Sequence, residues 1–279
     1  MDLVIQASAI SAADVAAIAS LTGAHGIHAL GSGTPEAFRL VRAQPHPGVA
    51  ALCAAAGIDH GFVPASQTRD RVRLVAMDMD STLITIECID EIADRMGVKQ
   101  EVAAITAAAM RGELDFAESL TRRVALLSGL PVGELERVYA ERLVLSPGAE
   151  RMLDGFKAAG AKTLLVSGGF TFFTDRLKAR LDFDAAAANV LEVAAGRLTG
   201  RVVPPIFDAQ AKAACLAAMR ERHAGAGGTV IAIGDGANDV PMLKAADVSI
   251  AYRAKPVLRA QATYAIDHCG LDAVLNLFA

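Results

Sequence analysis

Two aspartates, Asp78 and Asp80, directly follow a short apolar run that begins at Val72. The run is long enough for a buried parallel strand and too short for a typical helix. Side chains at positions i and i+2 of a strand point the same way, so we expect both carboxylates on one side of the strand end. They repel one another unless a proton or a cation joins them, and carboxylates with neighbouring hydroxyls favour Mg²⁺ over Zn²⁺. The spacing therefore favours a catalytic metal site over a simple helix cap.

Two further strand ends carry residues that suit phosphate chemistry. Ser167 with Gly168 and Gly169 offers a hydroxyl and backbone N–H groups next to a predicted helix start, although this pattern alone is more often a plain turn. Residues 234–239 follow another predicted strand and combine two glycines with two acids and an amide; Asp239 could also simply cap the next helix. In open α/β sheets ligands bind outside the carboxyl ends of the strands, so we expect the three segments at one edge.

The surrounding pattern predicts two units joined by a polar linker at residues 65–71. The sequence pattern of residues 1–64 predicts the order βαββαβ, which is that of a small ferredoxin-like α+β domain. Residues 72–279 predict a doubly wound, mostly parallel α/β sheet, because strands and helices alternate after residue 148. A helical insert is expected at residues 84–146, after the first core strand.

Composition excludes several classes of function. The net charge of −4 and the pI near 5.9 give no basic footprint for nucleic acid. No apolar run reaches the ~18 residues that a membrane helix needs. The four cysteines form no C-x-x-C pair and are typical of reduced thiols, so we expect a cytoplasmic protein without a secretory signal.

The motifs, in this order and spacing, resemble those of the haloacid dehalogenase-like superfamily of phosphohydrolases over roughly residues 72 to 270. The resemblance sharpens to the phosphoserine phosphatase family through Glu87, the segment G-E-L-D-F-A-E-S-L-T-R-R-V, and D-A-Q-A-K at residues 208–212. It implies Mg²⁺-dependent hydrolysis of O-phosphoserine to serine and phosphate through an aspartyl phosphate, the last step of serine biosynthesis. The amino-terminal unit is loosely similar to small regulatory, ACT-like domains.

The resemblance assigns roles at the sheet edge. Asp78 resembles the nucleophile, and Asp80 resembles the general acid and base, which requires a raised pKa. Mg²⁺ would be held by the Asp78 carboxylate, the Asp80 backbone carbonyl and Asp235, with Asp239 behind them. Four other residues are expected to bind or orient the phosphoryl group: Ser167, Gly168, Lys212 and Asn238. A lysine in a helix is usually solvated, so the Lys212 assignment depends entirely on the resemblance.

The helical insert is expected to be a cap that supplies substrate contacts. Glu87 matches the family's anchor for the substrate ammonium and Arg123 its anchor for the carboxylate, with Arg122 as the neighbouring alternative. Met110 and Phe116 match pocket residues, but ordinary helix packing explains them equally well.

Other functions remain open at this point. One is a phosphatase or phosphotransferase for another small phospho-amino acid, such as phosphohomoserine. Another is a non-catalytic amino-acid sensor, although such a protein has no need of Asp78, Asp80, Lys212 and Asp235 together. The expected partner is a small molecule, with no nucleic acid or membrane, and a homodimer is compatible with the sequence.

Overall fold

A four-stranded antiparallel sheet opens the chain in the computed structural model, which describes residues 1–31, 35–225 and 227–278. Its elements are β1 (Asp2–Ala7), α1 (Ala12–Thr22), β2 (Gly26–Ala29), β3 (Glu36–Val41), α2 (Gly48–Ala56) and β4 (Asp59–Val63). The strands lie in the order β2-β3-β1-β4, and the predicted βαββαβ succession is confirmed. Leu3 and Ile5 pack against the two helices, which cover one face of this sheet.

A second, seven-stranded sheet carries the rest of the chain in the order β11-β10-β9-β5-β6-β7-β8. Its strands are β5 (Val72–Asp78), β6 (Lys162–Phe170), β7 (Ala185–Ala194), β8 (Arg197–Val203), β9 (Thr229–Gly234), β10 (Val248–Tyr252) and β11 (Tyr264–Ile266). All neighbours are parallel except the antiparallel pair β7 and β8. The α/β fold expected from the sequence is confirmed.

The central strand β5 is apolar from Leu74 to Met77 because both of its faces are covered there. Val75 and Met77 pack into one hydrophobic core, whereas Leu74 and Ala76 pack into another on the opposite face. The covering helices are α7 (Ala149–Ala158), α8 (Thr171–Leu181), α9 (Ala209–His223), α10 (Val240–Lys244) and α11 (Pro256–Arg259). A buried parallel strand of this kind needs no alternation of apolar and polar residues.

One local feature differs from the sequence prediction. The sequence predicts a strand that ends at Val166 and a helix after Gly169. The helix is confirmed, since α8 begins at Thr171, but β6 continues to Phe170. The extension is held by Asn189, whose side-chain nitrogen donates to the Gly168 carbonyl at 2.9 Å. Phe170 of β6 also pairs with Asn189 of β7 in the sheet. Residues 167–170 therefore belong to the strand, and the Ser167 hydroxyl accepts the Gly169 N–H at 2.9 Å.

The cap consists of four helices inserted between β5 and α7: α3 (Cys88–Met96), α4 (Lys99–Met110), α5 (Phe116–Ala125) and α6 (Val132–Glu141). Its two chain connections run side by side, because Thr85 N–H donates to the Val144 carbonyl and Ser146 N–H to the Leu83 carbonyl. Helix α5 begins as expected, with Asp115 accepting the Glu118 N–H at 2.8 Å.

The cap also has a lateral attachment to the core. The turn after α5 is hydrogen-bonded to the β7–β8 hairpin, with Gly129 N–H donating to the Leu198 carbonyl at 2.8 Å. In return, Leu198 N–H donates to the Leu130 carbonyl at 2.9 Å, and Val132 N–H donates to the Gly196 carbonyl at 3.0 Å. These bonds fix the end of α5 to the sheet.

The helix-free face of the small sheet packs on the carboxy-terminal part of the core. Asp59 of β4 is buried, and its carboxylate accepts the N–H groups of Asp267, His268 and Cys269 at 2.8, 3.1 and 2.8 Å. Gly61 leaves room for the Tyr264 ring, since a Cβ on Gly61 would lie 2.6 Å from a ring carbon. The small sheet therefore depends on close contacts with the large one.

The segment predicted as a linker also makes specific contacts. Gln67 donates to the Leu277 carbonyl at 2.9 Å, and Arg69 donates to the Leu275 carbonyl at 3.3 Å. The predicted catalytic unit ended at residue 279, which lies outside the described residues. None of the helices in the described part of the chain has the length and apolar character that a membrane crossing requires.

We expect Asp59→Ala to lower the free energy of unfolding by about 2 kcal/mol or more, because buried N–H groups at residues 267–269 would lose their acceptor. Chemical denaturation measures this loss. Asp154→Ala, which removes an exposed carboxylate from α7, is the control and should change stability by about 0.5 kcal/mol or less. Equal stabilities for the two variants would contradict the role of Asp59.

Candidate active site

Three adjacent strands bring the predicted motifs to one edge of the large sheet. Asp78 ends β5, Ser167 lies near the end of β6, and Asp235 follows β9, the neighbour of β5 on its other side. A cavity of about 500 Å³ lies between this edge and the cap. The predicted site residues in its lining are Asp78, Asp80, Glu87, Arg123, Ser167, Gly168, Asp235 and Asn238. Lys212 and Asp239 are buried behind them.

Lys212 forms the ionic centre of the site. Its ammonium donates to Asp78 Oδ1 at 2.7 Å and to Asp239 Oδ1 at 2.8 Å, and all three side chains are almost completely buried. Burial alone would lower the pKa of Lys212, but the two carboxylates outweigh burial and raise it above its ordinary value. Lys212 is therefore a protonated, interior lysine and not the solvated residue that its helical context suggests.

The loop after β9 is held together by Asp239. Its Oδ2 accepts the N–H groups of Asp235 and Gly236, both at 3.1 Å, while Oδ1 accepts from Lys212. Gly234 is required here, because a Cβ at this position would lie 2.5 Å from the Asp239 carboxylate. Both oxygens of Asp239 are thus engaged, which agrees with a place behind the metal ligands.

Three carboxylates lie together at the centre of the site, and Lys212 pairs with two of them. Oxygens of Asp78, Asp235 and Asp239 lie within 4.8 Å of one another. Burial, followed by the charge of Asp239, raises the pKa of Asp78 well above its ordinary value and that of Asp235 to about 6. Such an excess of negative charge calls for a proton or a cation, and a donor set made only of oxygens suits a hard metal ion. The residues present fit a metal, with Asp78 and Asp235 offering the free oxygens.

Asp80 has the surroundings of a proton carrier. Its Oδ1 accepts the Cys88 N–H at 2.9 Å, and its Oδ2 lies 3.4 Å from the Ser167 hydroxyl. Burial, together with the charge of Glu87, raises the pKa of Asp80 to about 7. A carboxyl group with this pKa exchanges protons near neutral pH, as an acid–base residue must.

The cap contributes one charge of each sign to the cavity. Glu87 is held by Ser81, whose hydroxyl donates to Glu87 Oε1 at 2.6 Å. Arg123 is mostly buried, and this burial lowers its pKa against the opposing effects of Asp90 and Glu87. Its neighbour Arg122 pairs instead with Glu118 at 2.5 Å on the exposed side of α5. The structure therefore places Arg123, and not Arg122, at the cavity.

Sequence reasoning missed several residues of the site. Ser81 adopts the left-handed conformation with φ of 56°, which is unusual for serine and turns its side chain towards Glu87. Lys255 and Val257 also line the cavity, and so does Met110, which the resemblance matched to a pocket residue. Neither Lys255 nor Val257 belongs to a catalytic motif. The sequence signal beside them is Pro256, which is typical of a helix start. Phe116, as predicted, lines the cavity and contacts Gly168.

The model of the haloacid dehalogenase-like hydrolase family matches residues 75–244. The chain belongs to this hydrolase family. Its members generally use a metal ion, which agrees with the oxygen cluster at the sheet edge. A second model, for a domain of unknown function, matches residues 3–49 of the amino-terminal unit.

Within the family, the chain is similar to phosphoserine phosphatases. It is 53% identical over 210 residues to the phosphoserine phosphatase of Polaromonas sp., covering 74% of this chain and 89% of the relative. A probable phosphoserine phosphatase from Vibrio cholerae superposes with a TM-score of 0.88 at 35% identity, over 99% of this chain and 86% of that one. A phosphoserine phosphatase solved as an analogue of its phospho-aspartyl intermediate gives a TM-score of 0.68 at 38% identity, over 75% and 99%.

We expect Mg²⁺ to raise the melting temperature more at about pH 8 than at about pH 5. At the lower pH, Asp235 binds a proton that a cation must displace, because burial and the charge of Asp239 raise its pKa to about 6. Without metal the folded state holds more protons than the unfolded state between about pH 4 and pH 7, so stability falls as pH rises through this window. Thermal unfolding with Mg²⁺ and with chelator measures both effects.

Asp235→Asn is the matched variant for this measurement. It removes one ligand charge, so its Mg²⁺-dependent shift should be smaller at both pH values. Equal shifts at the two pH values in the unsubstituted protein would contradict the titration of the site.

Proposed function

We propose that this chain is a phosphoserine phosphatase, which hydrolyses O-phosphoserine to serine and phosphate in serine biosynthesis. The proposal depends on one observation. Asp78 and Asp80 line the same cavity as Glu87 and Arg123. The pair at the sheet edge suits a phosphoryl group, and the two cap residues suit an ammonium and a carboxylate. Phosphoserine has all three groups.

Asp78 acts as the nucleophile in the proposed reaction. Lys212 holds Oδ1 of Asp78, and the other oxygen is left to attack phosphorus. The bond from phosphorus to the serine oxygen breaks as the aspartyl phosphate forms, which divides one difficult step into two easier ones. The similar structure of a phospho-aspartyl intermediate analogue supports this route.

Asp80 moves the protons. In the first step its carboxyl group gives a proton to the departing serine oxygen, and in the second the resulting carboxylate takes one from water. That water attacks phosphorus, releases phosphate and restores Asp78. The pKa of about 7 supports both roles, because neither protonation state is strongly disfavoured near neutral pH.

The phosphoryl oxygens have their own set of partners in this proposal. The Ser167 hydroxyl, the Gly168 N–H and Asn238 bind or orient them, and Lys212 offsets their charge. Mg²⁺ would be held by Asp78, Asp235 and the Asp80 carbonyl, and it would supply positive charge beside the phosphoryl oxygens. Magnesium is the choice among metals because the ligands are all oxygens.

Domain roles and location complete the proposal. Residues 1–64 would form a regulatory unit, because no residue of the proposed site lies in them, with residues 65–71 joining it to the catalytic unit at 72–279. Cys53, Cys88, Cys215 and Cys269 are all unpaired thiols, which is typical of a reducing compartment and supports a cytoplasmic location.

We expect Asp78→Asn to abolish hydrolysis of phosphoserine, since the amide is similar in shape but cannot attack phosphorus. Phosphate release in the presence of Mg²⁺ measures the loss. Beryllium fluoride should form its adduct on residue 78 of the unsubstituted chain, as mass or crystallographic analysis can establish. An adduct on another residue, or near-normal turnover of the variant, would overturn the assignment.

Glu87→Gln and Arg123→Ala should each lower kcat/KM for phosphoserine by about 10-fold or more, because each removes a hydrogen bond between charged groups. Neither should much affect p-nitrophenyl phosphate, which has no ammonium or carboxylate. Arg122→Ala is the matched control, since its guanidinium pairs with Glu118 away from the cavity. Equal losses on both substrates would indicate a structural role, and no loss on either would mean that other residues select the substrate.

A further inference from the structure

Lys255 lines the active-site cavity together with Asp235 and Asn238, but it belongs to none of the catalytic motifs. Its backbone N–H donates to the Asp235 carbonyl at 2.9 Å. Its own carbonyl accepts the N–H groups of Leu258 and Arg259 at 3.0 and 3.1 Å, at the start of α11. The backbone of Lys255 is therefore fixed beside the proposed metal site by bonds that do not involve its side chain.

The side chain of Lys255 is in a different situation from the other cations of the site. Lys212 is buried between Asp78 and Asp239, and Arg123 is mostly buried in the cap. Lys255 is exposed, and within the described part of the chain its ammonium forms no ion pair or hydrogen bond. It is thus a cation at the cavity mouth that is free to meet an incoming anion.

The negative charge of the cavity lining opposes the entry of an anion, and the Lys255 ammonium offsets part of it. Four carboxylates line the cavity, against two cations, Arg123 and Lys255. A phosphomonoester carries up to two negative charges near neutral pH, so it is repelled by the carboxylates until it reaches its binding groups. A cation at the mouth offsets this repulsion, raises the association rate and loses its effect as salt screens it.

We propose that Lys255 captures the phosphate group of the substrate at the cavity mouth and also slows the departure of product phosphate. The proposal rests on the proposed function only in that the substrate is a phosphomonoester. Lys255 differs in this from Glu87 and Arg123, which would recognise the amino-acid part. Lys255 takes no part in the chemical steps, so its charge affects KM more than kcat.

Lys255→Gln should raise KM about 3- to 10-fold for both phosphoserine and p-nitrophenyl phosphate, with kcat changed less than about twofold. The inhibition constant of inorganic phosphate should rise by a similar factor. In the unsubstituted enzyme kcat/KM should fall as ionic strength rises, and in the variant this dependence should be clearly weaker. Lys255→Arg should restore both properties.

The matched control is Lys244→Gln, which removes an exposed lysine of α10 that does not line the cavity. It should leave KM and the salt dependence unchanged. An unchanged KM and salt dependence in Lys255→Gln would overturn the proposal. A loss of kcat or melting temperature shared by Lys255→Arg would also overturn it, because the side chain would then be structural.

The design separates this inference from the proposed function. If only p-nitrophenyl phosphate is hydrolysed, the phosphoserine assignment fails and the test of Lys255 proceeds with that substrate. If neither compound is hydrolysed, calorimetric titration with inorganic phosphate in the presence of Mg²⁺ decides. Weaker binding to Lys255→Gln than to Lys244→Gln would support capture of phosphate, and equal affinities would exclude it.

Discussion

The ion pairs of Lys212 with Asp78 and Asp239 are the constraint on which the site depends. A lysine buried this deeply is stable only because two carboxylates meet it at hydrogen-bond distance, and each carboxylate tolerates burial for the same reason. The three groups come from β5, α9 and the loop after β9. Their pairing therefore fixes one helix and two strand ends at the same place, and removal of one member leaves the others with uncompensated charge.

The same ion pairs leave negative charge in the site that a bound ligand must offset. One ammonium cannot neutralise Asp78, Asp239 and the nearby Asp235, so the folded site retains an excess of negative charge. Asp80 adds another carboxyl group that is largely kept from water. The site therefore favours a bound cation, and a metal ion that offsets the carboxylates would let a cavity rich in acids accept an anion.

Much of this arrangement was predictable from the sequence, since strand ends, motif order and the helical insert follow local patterns. Patterns could not reveal contacts between distant segments. Asp59 in an edge strand has the appearance of a surface acid, yet it accepts backbone N–H groups more than two hundred residues away. Lys212 and Lys255 are both lysines near helix starts, and only the fold shows that one is interior and the other free. The strand before Ser167 was predicted to end too early, because Asn189, which bonds to its extension, lies on β7.

The attachment of the cap to the β7–β8 hairpin restricts how the enzyme can open. Residues 129–132 are bonded to β8, so α5 and its Arg123 are held to the core at that end. Among the described residues, α4 has no such bonds to β8, and Met110 at its end is 72% exposed beside the cavity. The bonds of residues 129–132 oppose any movement of the cap that separates the end of α5 from the hairpin. Arg123 lies near that end of α5, so its position at the cavity depends on the β7–β8 hairpin as well as on the cap.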